Sequence, residues 1–244
     1  GGGQCLVVRL FEEVTGDDGY ASLSIDGLFL RANSPGSWGN ALKGTIVHPD
    51  VLDPEGAKAA AEKYGLTVND IFDLEIEDKV TEVKEVFRTV SIAENSGQRR
   101  YDRVLAAESN LVEAMPTPTF SNTRPQADAT DDAAGGDDGL GLTDGTYKGD
   151  SELKTGIHAL RKADIFNLLC IPPDVRDGTL NKTVREKAAE FCAEMRALYI
   201  VDPPHSWDAN PDNAATTAKN AQLNATDQVL PLTYARNAAL YFPR

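Results

Sequence analysis

Basic side chains are scarce in this chain: 24 Lys and Arg stand against 38 Asp and Glu over 244 residues, a formal charge of −14. That balance excludes the wrapping of DNA or RNA as the main task, because non-specific affinity for phosphates comes from clustered Lys and Arg. Anionic membrane surfaces are disfavoured for the same reason. Cysteine is scarce too. Cys5, Cys170 and Cys192 are odd in number, far apart, and form no C-x-x-C pair. No disulfide framework follows, and synthesis in a reducing cytosol is expected. No apolar run approaches the roughly 18 residues that span a bilayer, and no signal-peptide pattern is found. The sequons at Asn181 and Asn224 then read as chance matches. There is no initiator Met: the chain opens on Gly1-Gly2-Gly3 and stops at Phe242-Pro243-Arg244, and both ends read as cut from something longer.

The motifs of common chemistries are thin or missing. The three histidines, His48, His158 and His205, show no H-x₃-H spacing, which argues against a His-ligated metal. Asp131, Asp132, Asp137, Asp138 and Asp144 offer oxygen ligands but not the D-x-[DN]-x-[DN]-G spacing or the distal Glu of a calcium loop. They read as a solvated acidic loop. Glycines 135, 136, 139 and 141 follow no strand and precede no Lys-Ser/Thr, so a phosphate loop is not expected. A G-x-S-x-G nucleophile elbow is absent. Asp202 and His205 stand together at the end of an expected strand, where α/β sites often form, but an acid and a base without a nucleophile make half a site. No catalytic, cofactor-binding or metal-ligating residue is therefore expected.

What is present is enough for a real core: 41% of residues are hydrophobic, and the length allows one large domain or two modest ones. Cys5 to Phe11, rich in Val and Leu, reads as a buried strand. Short alternating segments at Ala21–Ile25, Leu28–Ala32, Gly44–His48, Ile71–Ile76 and Val83–Ile92 predict a β-rich module. Within it, Asp53-Pro54 reads as an N-cap with Pro in the first turn of a helix that Gly65 stops, and a second helix is expected from about Gln98 to Glu108. Five aspartates among the twelve residues Asp128 to Gly139 mark a linker or exposed loop.

Beyond that loop, Leu153, Ile157 and Leu160 have helical spacing, and Ile165 to Ile171 reads as a strand buried on both faces. Thr183-Val-Arg-Glu186 matches a capping box opening a helix with Val184, Ala188, Phe191, Cys192, Met195 and Tyr199 on one side. Ala197–Val201 is a further buried strand, Asn213–Leu223 a weaker helix, and Ala238–Phe242 a last strand. This alternation implies an α/β class with a mainly parallel sheet covered on both faces.

Five segments carry a further signal. Asn33-Ser-Pro-Gly-Ser-Trp-Gly-Asn40 resembles the A-x-x-P-G-x-W-G-N turn of contractile tail sheath proteins, found in myophages and in phage-tail-like contractile injection systems. Gly1-Gly-Gly-Gln-Cys-Leu-Val-Val-Arg9 resembles the end of that family's N-G-G-x-x-x-y-V-V-R-v strand. Lys154 to Leu160 leading into Asp164–Pro172 is similar to its helix and central strand. Phe191–Pro204 and the ending Asn237–Arg244 match in the same order.

The resemblance implies a mainly parallel three-layer subtilisin-like sheath domain plus a β-sandwich-like domain. Residues 1–19 would supply a strand of the preceding or central sheet, 20–115 the sandwich-like domain, 116–150 the acidic linker and 151–244 the subtilisin-like domain. It implies partners as well: other copies of the subunit in a helical homopolymer joined by arms beyond these ends, an inner tube protein and a baseplate, with no nucleic acid and no membrane insertion. It implies synthesis in the host cytoplasm and assembly into a tail or injection particle, with no enzyme activity and no cofactor. Two other readings stay open: a cryptic hydrolase using Asp202 and His205, and an acidic module that binds a basic protein surface. Halophily, electrostatic match to a tube, or plain solubility would each explain the acidity. Pro35-Gly36 and Gly39-Asn40 bracket Trp38 with turn formers, which predicts the indole largely buried against the core.

Overall fold

The computed structural model describes residues 3–163, 165–205, 207, 216, 219 and 233–241. The chain divides into two compact units, one of Glu13–Gly139 and one that joins Gly1–Glu12 to Leu140–Arg244. Among the described residues the fold is mixed α/β with three sheets.

In the unit Glu13–Gly139 the elements run β1 (Ser22–Ile25), β2 (Leu28–Ala32), β3 (Leu42–Val47), α1 (Pro49–Leu52), α2 (Pro54–Glu62), β4 (Phe72–Asp78), β5 (Lys84–Val90), α3 (Tyr101–Glu108), β6 (Val112–Ala114) and β7 (Thr130–Asp132). They form two antiparallel sheets, β1-β2-β6 and β5-β4-β3-β7. Period-two alternation sets the register. Leu23 lies opposite Leu30 and Ile25 opposite Leu28, while Ile46 lies opposite Leu74 and Gly44 opposite Ile76. A slip by one residue would turn Lys43 and Thr45 inward and Leu42 and Ile46 outward, so burial of one face holds the pairing. Both sheets and α3 feed a single apolar cluster that includes Leu30, Ile46, Leu74, Phe87, Tyr101 and Val112.

Local signals from the sequence hold here. Asp53 Oδ1 accepts from the Gly56 N–H at 3.0 Å, and the Gly65 N–H donates to the Glu62 carbonyl just past the end of α2. The helix expected from Gln98 begins at Tyr101, because residues 97–99 form a 3-10 turn that puts Arg99 to another use. Arg99 Nε donates to the Thr89 carbonyl at 2.9 Å and its Nη2 to the Arg88 carbonyl, while Asp73 Oδ1 accepts from the Thr89 N–H at 2.8 Å. Side chains thus occupy the end of edge strand β5 that would otherwise offer its backbone to another chain. Trp38 is a correction: it packs against the cluster but is only partly buried.

In the other unit the elements are α4 (Asp144–Lys148), a 3-10 helix (Gly156–Lys162), β8 (Leu168–Cys170), α5 (Lys182–Met195), β9 (Leu198–Val201) and β10 (Ala238–Leu240). The three strands make one parallel sheet in the order β10-β9-β8, with Leu169 beside Tyr199 and Ala239 beside Ile200. Val184, Ala188, Phe191 and Cys192 of α5 share a core with Leu169, Tyr199 and Val201. Arg196, at φ +58°, ends α5, so Tyr199 belongs to β9. The expected helix at Asn213–Leu223 falls, but for residues 216 and 219, outside the described residues.

Several expectations are corrected in this unit. Cys5–Phe11 is not in a sheet. Val8 and Leu10 pack on the core, whereas Val7 points to solvent, so only one side of the segment is buried. The helix read through Leu153 begins at Gly156 and is 3-10; Gly156 takes φ +56°, which interrupts the pattern, and Leu153 stays exposed. β8 is shorter than expected and buried on one face, with Leu169 inside and Leu168 outside at 60% exposure. The sheet is accordingly not covered evenly on both faces. Thr183 does not cap α5. Asn181 is the residue before the first turn, and the Thr183 hydroxyl donates instead to Asp144 at 2.5 Å. The acidic stretch 116–150 contains β7, paired with β3, and α4.

Candidate functional site

The Trp38 turn and the acidic loop answer each other within the unit Glu13–Gly139. The turn is a 3-10 helix, Ser37–Ala41, and Gly39 is buried so closely against the Ala21 and Ala32 methyl groups that a side chain there would sit 2.7–2.9 Å from them. Asn40 clamps Gly136 with both halves of its amide: Nδ2 donates to the Gly136 carbonyl and Oδ1 accepts from the Gly136 N–H, each at 2.8 Å. Asp138 accepts from the Ser37 N–H at 2.8 Å and from its hydroxyl at 2.7 Å. The P-G-x-W-G-N pattern therefore works as a socket for residues 136–138.

Each aspartate of the acidic run has a separate occupation. Asp131 Oδ2 accepts from the Ser24 N–H at 2.6 Å, Asp132 pairs with Lys79 at 3.1 Å, and Asp137 Oδ1 accepts from the Gly139 N–H at 2.8 Å. Asp144, in the other unit, accepts from Thr183 and from Asn181 Nδ2, and the Thr183 hydroxyl first and Asn181 second hold its carboxyl below the usual range. Dispersed in this way, the run converges on no common point. Among the described residues no three His, Cys, Asp or Glu side chains group as metal ligands. No helix of the described residues is long and apolar enough to cross a membrane.

In the unit that contains the parallel sheet, Asp202 and His205 follow the carboxyl end of β9. The His205 imidazole meets Asp177, with Nδ1 at 3.9 Å, and the His205 backbone N–H donates to the Thr179 hydroxyl at 3.2 Å. Asp202 is exposed, and its charge, after burial, helps raise the Cys170 thiol. Cys170 also lines a half-open hollow of about 260 Å³ walled by Leu6, Val8, Leu10, Ile157, Leu160 and Leu169, among others. Its polar margin includes Asp174, whose Oδ2 accepts from the Leu142 N–H at 3.3 Å, and Tyr147, whose hydroxyl donates to the Pro172 carbonyl at 3.5 Å. Cys192, buried in the core, has its thiol pushed up to about 12 by that burial, which leaves it protonated and unreactive.

The other histidines are structural in setting. His48 Nε2 lies 2.7 Å from the Pro125 carbonyl. His158 is buried, edge-on to Phe191 at 5.2 Å, and its Nδ1 receives the Arg161 Nε–H at 3.1 Å. Arg161 in turn forks onto Glu194 at 2.8 and 2.7 Å and lies over the Phe191 ring. Burial first, then the charges of Arg161 and Lys187, push this imidazole below its ordinary range. Sequence reasoning missed the cluster: a His and an Arg three apart were visible, but nothing placed Glu194 beside them. It also missed Arg185, a buried arginine of α5 whose Nε and Nη1 have no hydrogen-bond partner.

No protein-family model matches the chain, and no curated protein does. Among solved structures it is similar to a sheath tail protein of Listeria innocua, at 15% identity and a TM-score of 0.43, over 77% of this chain and 34% of that one. It is also similar to a sheath tail protein of Desulfitobacterium hafniense, at 14% identity and a TM-score of 0.37, over 75% and 34%. The chain thus spans about a third of the length of each of these two proteins.

Proposed function

We propose that this chain is part of a structural subunit of a contractile tail sheath, which polymerises around an inner tube and contracts to drive it through a target envelope. The observation that carries the reading is the order and spacing of the five sequence segments that resemble the sheath family, from the Gly1–Arg9 segment through the Trp38 turn to the sequences at 154–172, 191–204 and 237–244. The socket role of Ser37, Gly39 and Asn40 supports it, because it gives those motif residues a purpose in folding and not in catalysis.

On this reading the unit Glu13–Gly139 is the β-sandwich-like domain and the unit with the parallel sheet is the subtilisin-like α/β domain. The subunit performs no chemistry and takes no cofactor. Two stable arrangements of its contacts with neighbouring copies, the inner tube and the baseplate would supply the mechanism. Affinity between copies would come from arms that add strands to a neighbour's sheet.

Electron microscopy of the product of the whole reading frame that encodes these residues tests the proposal. Hollow helical tubes or stacked rings, formed without added nucleotide, are expected. Residues 1–244 alone should sediment as a monomer at micromolar concentration. A whole product that stays dispersed under conditions where it is folded, or a hydrolytic turnover lost in His205→Ala, would overturn the reading.

A further inference from the structure

An arginine guanidinium stays protonated throughout the physiological range, so Arg161 Nε can only donate. Its partner, His158 Nδ1, is therefore the accepting nitrogen, and the single proton of the neutral ring sits on Nε2. A second proton has one place to go, the Nδ1 lone pair that Arg161 already occupies. Protonation of His158 and the Arg161 bond exclude each other: one N–H would face another, and two cations would meet at about 3 Å.

The bond lies within the 3-10 helix Gly156–Lys162 and orients a side chain that joins this helix to α5. Arg161 lies on the 3-10 helix Gly156–Lys162, and its two other nitrogens grip Glu194 on α5, while its Cζ lies 5.1 Å from the centre of the Phe191 ring of α5. His158 adds its edge contact to Phe191. Four side chains thus fasten the 3-10 helix to α5. Ile157 and Leu160, from the same short helix, enter the core of this unit and wall its hollow.

We propose that His158 is the acid-sensitive catch of a latch that holds the Gly156–Lys162 turn against α5. The charges that face the imidazole are Arg161 on its own turn, Lys187 and Glu194 on α5, and Asp150 ahead of the turn. The first two, together with burial, oppose a positive ring; Glu194 and Asp150 favour it less strongly. The folded state accordingly takes up the proton less readily than the unfolded chain, whose imidazole titrates near 6.5. The stability contributed by the neutral ring is fully present above that pH and is lost as pH falls below it. Acid enters by breaking the Arg161 bond, which frees the turn and opens the wall made by Ile157 and Leu160. The latch belongs to the folded unit itself and does not rest on the assembly reading.

Two measurements on residues 1–244 decide the matter: NMR titration of the His158 ring, and hydrogen exchange at residues 156–163, where the His158 and Ala163 N–H groups are bonded to Thr155 and Leu160. The ring should titrate below 6.5. Protection of these amides, corrected for intrinsic exchange, should fall from pH 7 to pH 5 as the ring takes up its second proton. In His158→Gln, whose amide oxygen can accept from Arg161 but takes no proton, protection should stay flat. In Glu194→Gln, which removes a charge that favours the cation, the midpoint of the ring titration should move to lower pH. A ring that titrates at 6.5 or above, or an equal loss of protection in His158→Gln, would overturn the latch. If that variant does not fold, the parent's ring titration and Glu194→Gln suffice to refute it.

Discussion

In the unit Glu13–Gly139 the inward residues of β2, β3 and β4, from Leu28 to Ile76, are at 0% exposure, whereas Tyr147, Ile157, Leu160, Leu169 and Ile171 of the other unit keep between 5 and 8%. Strand length accounts for much of the difference. β3, β4 and β5 run for six or seven residues and each delivers two or three side chains to the core. β8 and β10 have three residues, and β8 delivers Leu169 alone from within the strand. With so few inward positions per strand, loops and the segment around Val8 and Leu10 must complete the core, and a hollow of about 260 Å³ persists among them. A sheet closed by its own alternation is tight, and one closed by irregular segments keeps room to move.

Truncation at matched positions would break or sharpen this contrast most strongly. Leu74→Ala, at a site fully enclosed by both sheets, should cost about 3–5 kcal/mol in denaturant unfolding. Leu169→Ala, beside an existing hollow, should cost about 2 kcal/mol because its neighbours have fewer contacts to lose. Equal costs would mean that the hollow is filled in solution and that the two cores pack alike.

Arg185 is expected to reveal the looser unit from the opposite direction. Its guanidinium is buried without hydrogen bonds at Nε and Nη1, and burial pulls its proton affinity down. Arg185→Met keeps the length of the side chain and removes the unpaired charge, so unfolding should become harder by about 1–3 kcal/mol. A destabilised variant, measured by the same denaturation, would mean that the charge is paired in solution.

A gain of about 1 kcal/mol should follow from Leu6→Phe, which puts more apolar volume against the hollow, provided the extended segment stays where it is. Thermal unfolding measures it, and an unchanged midpoint would say that the segment does not hold its place. The smallest effect belongs to the tighter unit. Asp102, held low first by its fork to Arg100, contributes stability that is present above its unfolded value near 3.8 and lost as pH falls through its lower folded value. Asp102→Asn should cost about 0.5 kcal/mol at pH 7 and flatten the acid limb of stability below pH 4. Equal acid sensitivity in parent and variant would assign that limb to other carboxylates, such as Asp78 or Asp144, which are held low by their own hydrogen bonds.

The sequence alone located β1 to β5, the Asp53 cap and the apolar face of α5, because each rests on contacts between residues a few positions apart. Alternation at period two and the first-turn pairing of Asp53 with Gly56 are complete within a short window. It also gave the Trp38 turn as a motif, though not its use as a socket, since the partners Gly136 and Asp138 lie about a hundred positions away. For the same reason the acidic run read as one solvated loop when its carboxylates serve five different local tasks. Tertiary structure decided three things that no window contains. Thr183 turned from a cap to Asp144, the segment Cys5–Phe11 joined no sheet and buried one side only, and His158, Arg161 and Glu194 came together across 36 positions of chain. Hydrogen bonds and charges act through space, and which distant groups meet is fixed only when the apolar faces that the sequence does specify have been packed against one another.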